Sequence, residues 1–525
     1  MSFASAKFIP LQDKIGSIFT GWVVDNSPPN VIPYSKTPYS RNFRVNAGGI
    51  SVRPGFIEQA SLWATGAGKG MVSYIRATAS NDSIICRFNT DATHKLIGVN
   101  PSTYATTSIL TAGNIASDNR MTFATAGDAV YCMNGSDGYG KLSGTTYTVP
   151  ATWVVWFNPK FWVWFNNAMW CAGTSANPTR LYKSVENNAD DFSWAGSDYF
   201  DAAFPIVGLG LGGQTLYIFT EQTIDMINTS SIKQIGSSLV YTSIPLESKE
   251  GAVNHKSIVN VGKNLYFLTK SNKINQVVPN PIGWYDVLEL SHKINDGINV
   301  TMATLDSDQS DSWAYALPDK QLIKWHLKSA GATYPDICII YHFEYQEWMV
   351  DTNKSFYDGC WYKNKSYTIS ALNPSFYQDE YWYSDDDEAI QFEYRSKNLD
   401  YWDPTVNKEL WQSRLFLNMN SATSLEQKIY ADGGLVDSKT INSSLIPNIA
   451  QGIGTKAIGT YAIGEDWQPE DTQYDLSIVR EKGNLQVRAK YFQFIYLCST
   501  IGANFLIKRL DTRIQWLDEL TTSTN

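Results

Sequence analysis

No run of about twenty apolar residues, the length a helix needs to cross a bilayer, occurs in this sequence. The most apolar stretch, TWVVWFNPKFWVWFNNAMW, is broken by Asn158, Pro159 and Lys160. It predicts two strands, and no membrane insertion is expected. The opening MSFASAKFIPLQDKIG has no basic segment followed by an apolar core, so no secretory leader is expected. Charge is also scarce, at 18% of residues with a net charge of -9. No Lys/Arg block or stripe offers a phosphate-gripping face, which argues against sequence-reading nucleic-acid binding. The five histidines (His94, His255, His292, His326, His342) show neither HExxH nor Cys/His spacing, so no metal site or cofactor is expected. The six cysteines (Cys86, Cys132, Cys171, Cys338, Cys360, Cys498) are dispersed without a CxxC pair. They predict buried free thiols in a chain that folds in a reducing cytosol.

Aromatics are plentiful: 14% of residues, with 18 Trp and 30 Tyr. Together with many Thr, Ser, Asn and Gly, they favour strands and turns over helices. One pattern recurs: a short apolar strand, a Gly/Asn/Asp turn, and a strand centred on an aromatic. The turns fall near Asp82, Asp128, Asn167, Gly213, Lys263, Asp311 and Asn364, at intervals of about 40 to 50 residues, the blade length of four-stranded propeller repeats. A lone blade cannot cover both faces, whereas a closed ring buries each against a neighbour. The expected fold is all-β, a β-propeller of six or seven blades. Hairpins of ordinary β-sandwiches would also place turns at intervals.

The character changes after Asp387. The acidic run Asp385, Asp386, Asp387, Glu388 predicts a solvated boundary loop, since adjacent like charges resist packing. Beyond it come the longer strands AIQFEYRSKNLDYW, LWQSRLFLNMNS and AKYFQFIYLCS. The expected division is an N-terminal arm and β-ribbon in 1–60, a propeller in 61–386 and a β-sandwich platform in 387–525. A closed propeller has no free edges. Contact between copies is therefore expected on LWQSRLFLNMNS and AKYFQFIYLCS, and removal of 390–525 is expected to leave a soluble propeller.

Several stretches invite chemistry without supplying it. SVENNADDFSW partly resembles the Asp-box turn of sialidase-like propellers but lacks its central Gly and occurs once. DSDQSDS offers Asp306, Asp308 and Asp311 without the Gly and distant Glu of a calcium loop, and reads as an Asx turn. GLGLGG, residues 208–213, runs into the strand TLYIFT and not into a helix, so it suits a hairpin better than a phosphate loop. Paired carboxylates could still be assembled from 51 acidic residues, but no nucleophile elbow or catalytic set stands out. No catalytic residue is assigned.

The stretch NFRVNAGGISVRPGF alternates about Phe43 and Val45, turns at Gly48-Gly49, alternates again through Ile50 and Val52, and stops at Pro54-Gly55. It predicts a β-ribbon. Taken in order with the blade segments, it resembles the tail nozzle (tail hub, tubular protein B-like) proteins of short-tailed bacteriophages, over residues 40–280 most closely. Asn42, Gly48, Gly49, Arg53, Pro54 and Gly55 carry the first segment of the likeness. Residues 128–134 with Asp137, Gly138 and Gly144 carry the second. The third rests on Gly208, Leu209, Leu216, Phe219, Thr220 and Ile224, and the fourth on Gly262, Asn264, Tyr266, Leu268 and Ile274. All are turn or core positions. The resemblance implies a virion structural protein assembled in the host cytoplasm and carried in the tail: six copies in a ring below the adaptor (head-to-tail connector), passing genomic DNA without sequence-specific binding. Tail fibre or tail needle proteins are further implied partners, although the chain has little room for large fibre-docking insertions. A different class, a carbohydrate-active or glycan-binding propeller of sialidase type, would use exposed Trp and Tyr to stack on sugars. Buried aromatics favour the nozzle; exposed Trp around one face would favour the glycan reading. A generic scaffold propeller would lack, as this chain does, WD or kelch signatures only by exception.

Overall fold

A computed structural model describes residues 7–9, 37–46, 49–62, 66–76, 82–90, 93–110, 115, 117–137, 139–149, 158–192, 199–228, 232–235, 238–279, 285–294, 302–401, 405–420, 423–442, 474–480 and 487–516. Within them the regular structure is strand with short 3-10 turns. Seven antiparallel four-stranded sheets follow one another along the chain. Their innermost strands are Gly68–Tyr74 in blade 1, Thr122–Ala126 in blade 2, Phe161–Phe165 in blade 3, Ile206–Gly212 in blade 4, Val259–Val261 in blade 5, Trp313–Leu317 in blade 6 and Phe356–Tyr362 in blade 7. Each touches the innermost strand of the next, and Phe356–Tyr362 touches Gly68–Tyr74. The ring is closed and has seven blades.

The second strands show why the ring is stable. Ala129–Met133, Ala168–Ala172, Thr215–Thr220 and Leu322–Leu327 are buried at every position, because both faces are covered by neighbouring blades and continuous burial replaces alternation; in Leu322–Leu327 that burial includes Lys324 and His326. Packing between blades is continuous: Tyr131 of blade 2 meets Trp162 of blade 3 edge-on at 5.1 Å, and Phe219 of blade 4 lies 5.0 Å from Phe267 of blade 5. Six of the expected turns do join the first and second strands of their blades. In blade 6 the turn is at Pro318–Lys320, with Gln321 in the left-handed region at φ 57°. Asp311 lies before the first strand, where Asx bonds from the Asp308 and Ser310 amides to Asp306 and Asp308 (2.8 and 3.0 Å) shape the chain.

Blade 7 is completed from the other end of the chain. Phe56–Ser61 pairs with Ser375–Asp379 as its outermost strand, so the boundary expected at residue 60 moves to the Pro54-Gly55 break. Blade 4 carries an additional hairpin, Ile232–Ile235 with Ser238–Tyr241, before its last strand.

The platform is a sandwich of two sheets. One has the order Phe43–Asn46, Gly49–Val52, Phe505–Trp516, Lys408–Met419, Tyr474–Arg480, with Lys7–Ile9 and Val487–Ala489 attached to its two long strands. The other runs Tyr39–Arg41, Phe392–Arg395, Phe492–Cys498, Leu425–Ala431, Gly434–Ile441. The ribbon expected near the N-terminus thus belongs to the platform, since Ile50 pairs with Ile507. Phe392 and Phe505 meet edge-on at 4.8 Å across the two sheets, and Gly502, at φ 72°, lets the chain cross between them.

Two expectations are corrected here. Lys408–Met419 and Phe492–Cys498 are central strands, paired on both edges; Leu415, Leu417, Phe494 and Tyr496 are buried in the sandwich and are not a surface for another copy. Nor is the propeller self-sufficient, because one apolar cluster runs from Trp313, Trp325 and Trp348 of blade 6 into Phe392, Phe494 and Phe505 of the platform. Cutting at residue 390 would expose that shared core.

Gly49, at φ 147°, lies so close to the adjoining strand that a Cβ would stand 1.9 Å from the Ile507 carbonyl oxygen. Gly49→Val is expected to destabilise the chain by about 3 kcal/mol. Gly213→Ala, whose Cβ meets nothing within 4 Å, should cost about 1 kcal/mol from its left-handed turn alone. Equal losses of the two variants in urea unfolding would refute the close-approach explanation.

Candidate functional site

The densest chemistry lies where the ribbon meets blades 6 and 7. Arg53 is wholly buried. Its Nη1 donates to Asp385 Oδ1 at 2.7 Å and its Nη2 to Asp385 Oδ2, while Nε donates to Asn42 Oδ1 at 2.9 Å. Arg44 grips Asp351 with two parallel bonds of 2.7 and 2.8 Å, and reaches Glu380 at 2.5 Å. Lys324 lies 2.6 Å from Asp379 and 2.5 Å from Glu380; Lys354 lies 2.7 Å from Asp379 and 3.4 Å from Asp351. Tyr315 donates its hydroxyl to Asp379 at 2.9 Å.

Each partner comes from a different element. Arg44 sits on the ribbon, Lys324 and Asp351 on blade 6, Asp379 at the end of a blade 7 strand, and Asp385 in the link to the platform. Burial alone would drive these carboxyls toward neutrality. The facing cations win: burial opposes but Arg44 and Lys354 hold Asp351 down at about 2, and Asp379 and Glu380 lie well below the usual carboxylate range. Lys324 is held well above its usual value by Asp379 and Glu380 against its own desolvation. The boundary loop expected to be solvated is therefore divided. Asp386 and Asp387 are exposed, whereas Asp385 is buried against Arg53.

A second cluster closes the axis of the ring. A β-bulge between Phe356 and Asp358 re-aims the buried Asp358, which accepts from the Met71 amide at 2.8 Å and from Lys256 Nζ at 2.7 Å. Arg120, entering blade 2, spans the bore to donate to the carbonyls of Asp311 (3.1 Å), Ser312 (3.0 Å) and Tyr357 (3.0 Å) in blades 6 and 7. Above this seal lies a cavity of about 480 Å³ bordered by residues that open the innermost strands of blades 2 to 6, among them Arg120, Lys160, Asn254, His255 and Lys256. Burial, reinforced by Lys256, pushes His255 down to about 3, so its ring is neutral; Nδ1 accepts from the Leu209 amide at 3.2 Å.

The residues singled out by sequence do not converge on a site. Gly48 and Gly138 lie outside the described residues. Gly55 makes the approach to the platform link, where a Cβ would sit 1.8 Å from the Ser384 carbonyl oxygen, and Pro54 precedes it, accepting from Arg53 at 3.1 Å. Asp137 accepts from the Ser117 hydroxyl at 2.6 Å. Gly144 and Gly262 are left-handed turn residues at φ 65° and 64°. Gly208 packs on blade 5, and Leu216, Phe219 and Tyr266 are core, with Asn264 starting its strand. Arg53, matched as part of a turn, proves to be a wholly buried cation at the end of the ribbon; its cue was an Arg between a ribbon and Pro-Gly. All six cysteines are free and buried, and no cluster of metal-ligating side chains occurs among the described residues.

No protein-family model and no curated protein sequence matches the chain. Solved structures with a similar course include YCF48 bound to D1 peptide (10% identity, 65% of this chain and 97% of that one, TM-score 0.38). PorZ of Porphyromonas gingivalis is similar at 11% identity over 66% of this chain and 43% of its own, TM-score 0.38. BamB from Moraxella catarrhalis follows at 12% over 64% and 95%, TM-score 0.35. The strand pairing itself, closed through seven four-stranded sheets, makes the chain a β-propeller protein with a β-sandwich platform.

The ion network gives a signed pH dependence. Carboxyls with depressed folded pKa values stabilise the fold above their unfolded values near about 4, and that contribution is lost as pH falls through the folded values toward about 2. Unfolding midpoints in urea should hold from pH 7 to 5 and drop steeply between pH 4 and 2. Asp385→Asn, which leaves Arg53 buried with half its partner, should cost about 3–5 kcal/mol at pH 7. A loss below 1 kcal/mol would mean that the pair is solvated.

Proposed function

We propose that this chain is a virion structural protein: the tail nozzle of a short-tailed bacteriophage, six copies of which ring a conduit for genomic DNA below the tail adaptor. The observation that carries the reading is the joining of the Asn42–Gly55 segment to the platform, with the propeller inserted between ribbon and C-terminal strands. In the resemblance, that same segment opens the ordered series of turn and core positions. A part built to withstand DNA ejection needs its two bodies locked, and the buried network of Arg44, Arg53, Asp351, Asp379 and Asp385 locks them.

The bore of a single propeller is no candidate conduit, since Arg120 and Lys256 seal it against Asp358. DNA would pass between copies, along a surface of a chain whose net charge is -9, where phosphates slide without the counterion release that a basic wall would drive. Copies would join through the platform, where Gly434–Ile441 is paired along one side only among the described residues, and heterologous contacts of this kind close rings. Adaptor and fibre or needle proteins are the remaining partners of the reading.

The glycan-binding alternative gains nothing from the described aromatics. The large apolar side chains that are exposed among them include Tyr199, Tyr345 and Tyr381 but no Trp, while Trp162, Trp170, Trp313, Trp325 and Trp348 are buried.

Co-expression with a head-to-tail connector protein of a short-tailed phage, followed by electron-microscopy class averages, is expected to show a six-fold ring of this chain. A single copy per particle, a trimer, or a chain that stays monomeric in the presence of the connector would overturn the nozzle reading.

A further inference from the structure

Where the chain leaves blade 7 for the platform, Tyr381, Trp382 and Tyr383 form a row of rings, with centroids 6.4 Å apart at each step and planes inclined by 36° and 49°. The row runs from core to water. Tyr383 packs on the shared apolar cluster, Trp382 is half-buried and Tyr381 is 51% exposed. The Gly502 amide donates to the Tyr383 carbonyl at 3.2 Å, which brings the turn before Phe505–Trp516 alongside. Ile501, in that turn, is 55% exposed. The buried ion network fastens the joint without these side chains, so their exposure is not explained by the joint itself.

The acidic turn is laid along the same backbone. The Tyr381 amide donates to the Gly55 carbonyl at 3.2 Å, and the Asp386 amide to the Phe56 carbonyl at 2.8 Å. Rings and carboxylates therefore border one pair of residues. Within the run 385–388, only Asp385 is paired with a cation among the described residues. Asp386 accepts from the Glu58 amide at 3.1 Å, whereas Asp387 and Glu388 present their side chains to solvent. Asp387 holds φ 67°, a left-handed state that Gly adopts more easily, so the turn itself does not call for a carboxylate there. Lys320, which reaches the residue before Tyr381, is committed to the Glu380 carbonyl at 3.1 Å and to its carboxylate at 3.5 Å.

We propose that the exposed end of this aromatic row, Tyr381 and Trp382 with Ile501, is a docking surface for an arginine-rich segment of a partner polypeptide, whose charge is met by Asp387 and Glu388. Charge complementarity selects the occupant. A guanidinium stacks on an aromatic face while its planar fork of N–H groups remains free for a carboxylate. Each contact is weak alone, an exposed ion pair as much as an exposed cation–π pair, and the surface offers both together. A lysine brings a point charge without the stacking plane, and a neutral sugar would leave the carboxylates unused. The surface stands whether or not the chain builds a nozzle; ring formation and peptide capture are separate measurements.

The test follows the fluorescence anisotropy of fluorescein-labelled hexa-arginine and hexa-lysine titrated with the intact chain. Hexa-arginine should bind about threefold tighter than hexa-lysine, and Tyr381→Ala, which removes a ring and no charge, should erase that preference. Asp387→Gly and Glu388→Gln should each weaken hexa-arginine by about twofold. Asp387→Gly also relieves the left-handed backbone, so its melting temperature should not fall, which separates lost binding from lost folding. Glu247→Gln removes an exposed carboxylate from the link between blades 4 and 5 and should leave binding unchanged. Equal binding of the two peptides, a Tyr381→Ala variant that keeps the preference, or an equal loss from Glu247→Gln and Glu388→Gln would overturn the proposal. Displacement of hexa-arginine by maltohexaose would overturn it in favour of a sugar-binding surface.

Discussion

Arg53 is the residue on which the union of the two bodies depends. It is fully buried at the end of the ribbon and held by Asp385 of the platform link, Asn42 and the Thr352 carbonyl of blade 6. An arginine so placed cannot lose its proton, so the structure must either surround it with acceptors or not form. Its neighbour Arg44 sets the same condition for Asp351 and Glu380, and those carboxylates in turn bring in Lys324 and Lys354. Well-packed apolar groups could hold ribbon and blades with comparable free energy. What the ions add is uniqueness of register. A shift of the ribbon by one residue would turn Arg44 to the opposite face and leave Asp351 and Glu380 without it, a penalty that an apolar face would not impose.

The propeller was legible because its signal is repetitive and local. Turn residues with left-handed backbone, such as Asn167 at φ 57° and Gly213 at 62°, announce themselves as Asn and Gly, and the strands beside them are runs of apolar and aromatic residues. The failure in blade 6 has a local cause too: Asp306, Asp308 and Asp311 are turn formers that build an entry loop, whereas the true hairpin is written as Pro318, Asp319, Lys320. The closing strand of blade 7 was hidden because Phe56–Ser61 pairs with a segment some three hundred residues away, beyond any periodicity. The ion network was hidden for the same reason. Arg44 and Asp351 are separated by 307 positions, and each alone looks like an ordinary surface charge. The long C-terminal strands are ambiguous in another way: alternation in Lys408–Met419 and Phe492–Cys498 fits a face awaiting another copy as well as it fits a sandwich, which supplies its own second sheet.

Order along the chain ties these observations together. The first described ribbon and the first propeller strand both find their partners in the last third of the sequence: Gly49–Val52 on Phe505–Trp516, Phe56–Ser61 on Ser375–Asp379. Loop closure on that scale precedes any gain from contact, and topologies dominated by such pairs assemble slowly. Blades 1 to 6 can stack as they are completed, as neighbouring repeats do. Ring closure, however, leaves blade 7 short of its outer strand until residues 56–61 return, and that return is steered by Pro54-Gly55 immediately after Arg53. Closing the ring and docking the ribbon are therefore one event. The backbone step into blade 7 begins where the buried arginine ends, so a chain whose Arg53 has found Asp385 has already brought Phe56 beside Ser384, whose carbonyl accepts from the Phe56 amide at 3.1 Å. Platform and propeller are separate in architecture but not in folding, and the acidic link that sequence alone marks as a boundary is the place where they are fastened.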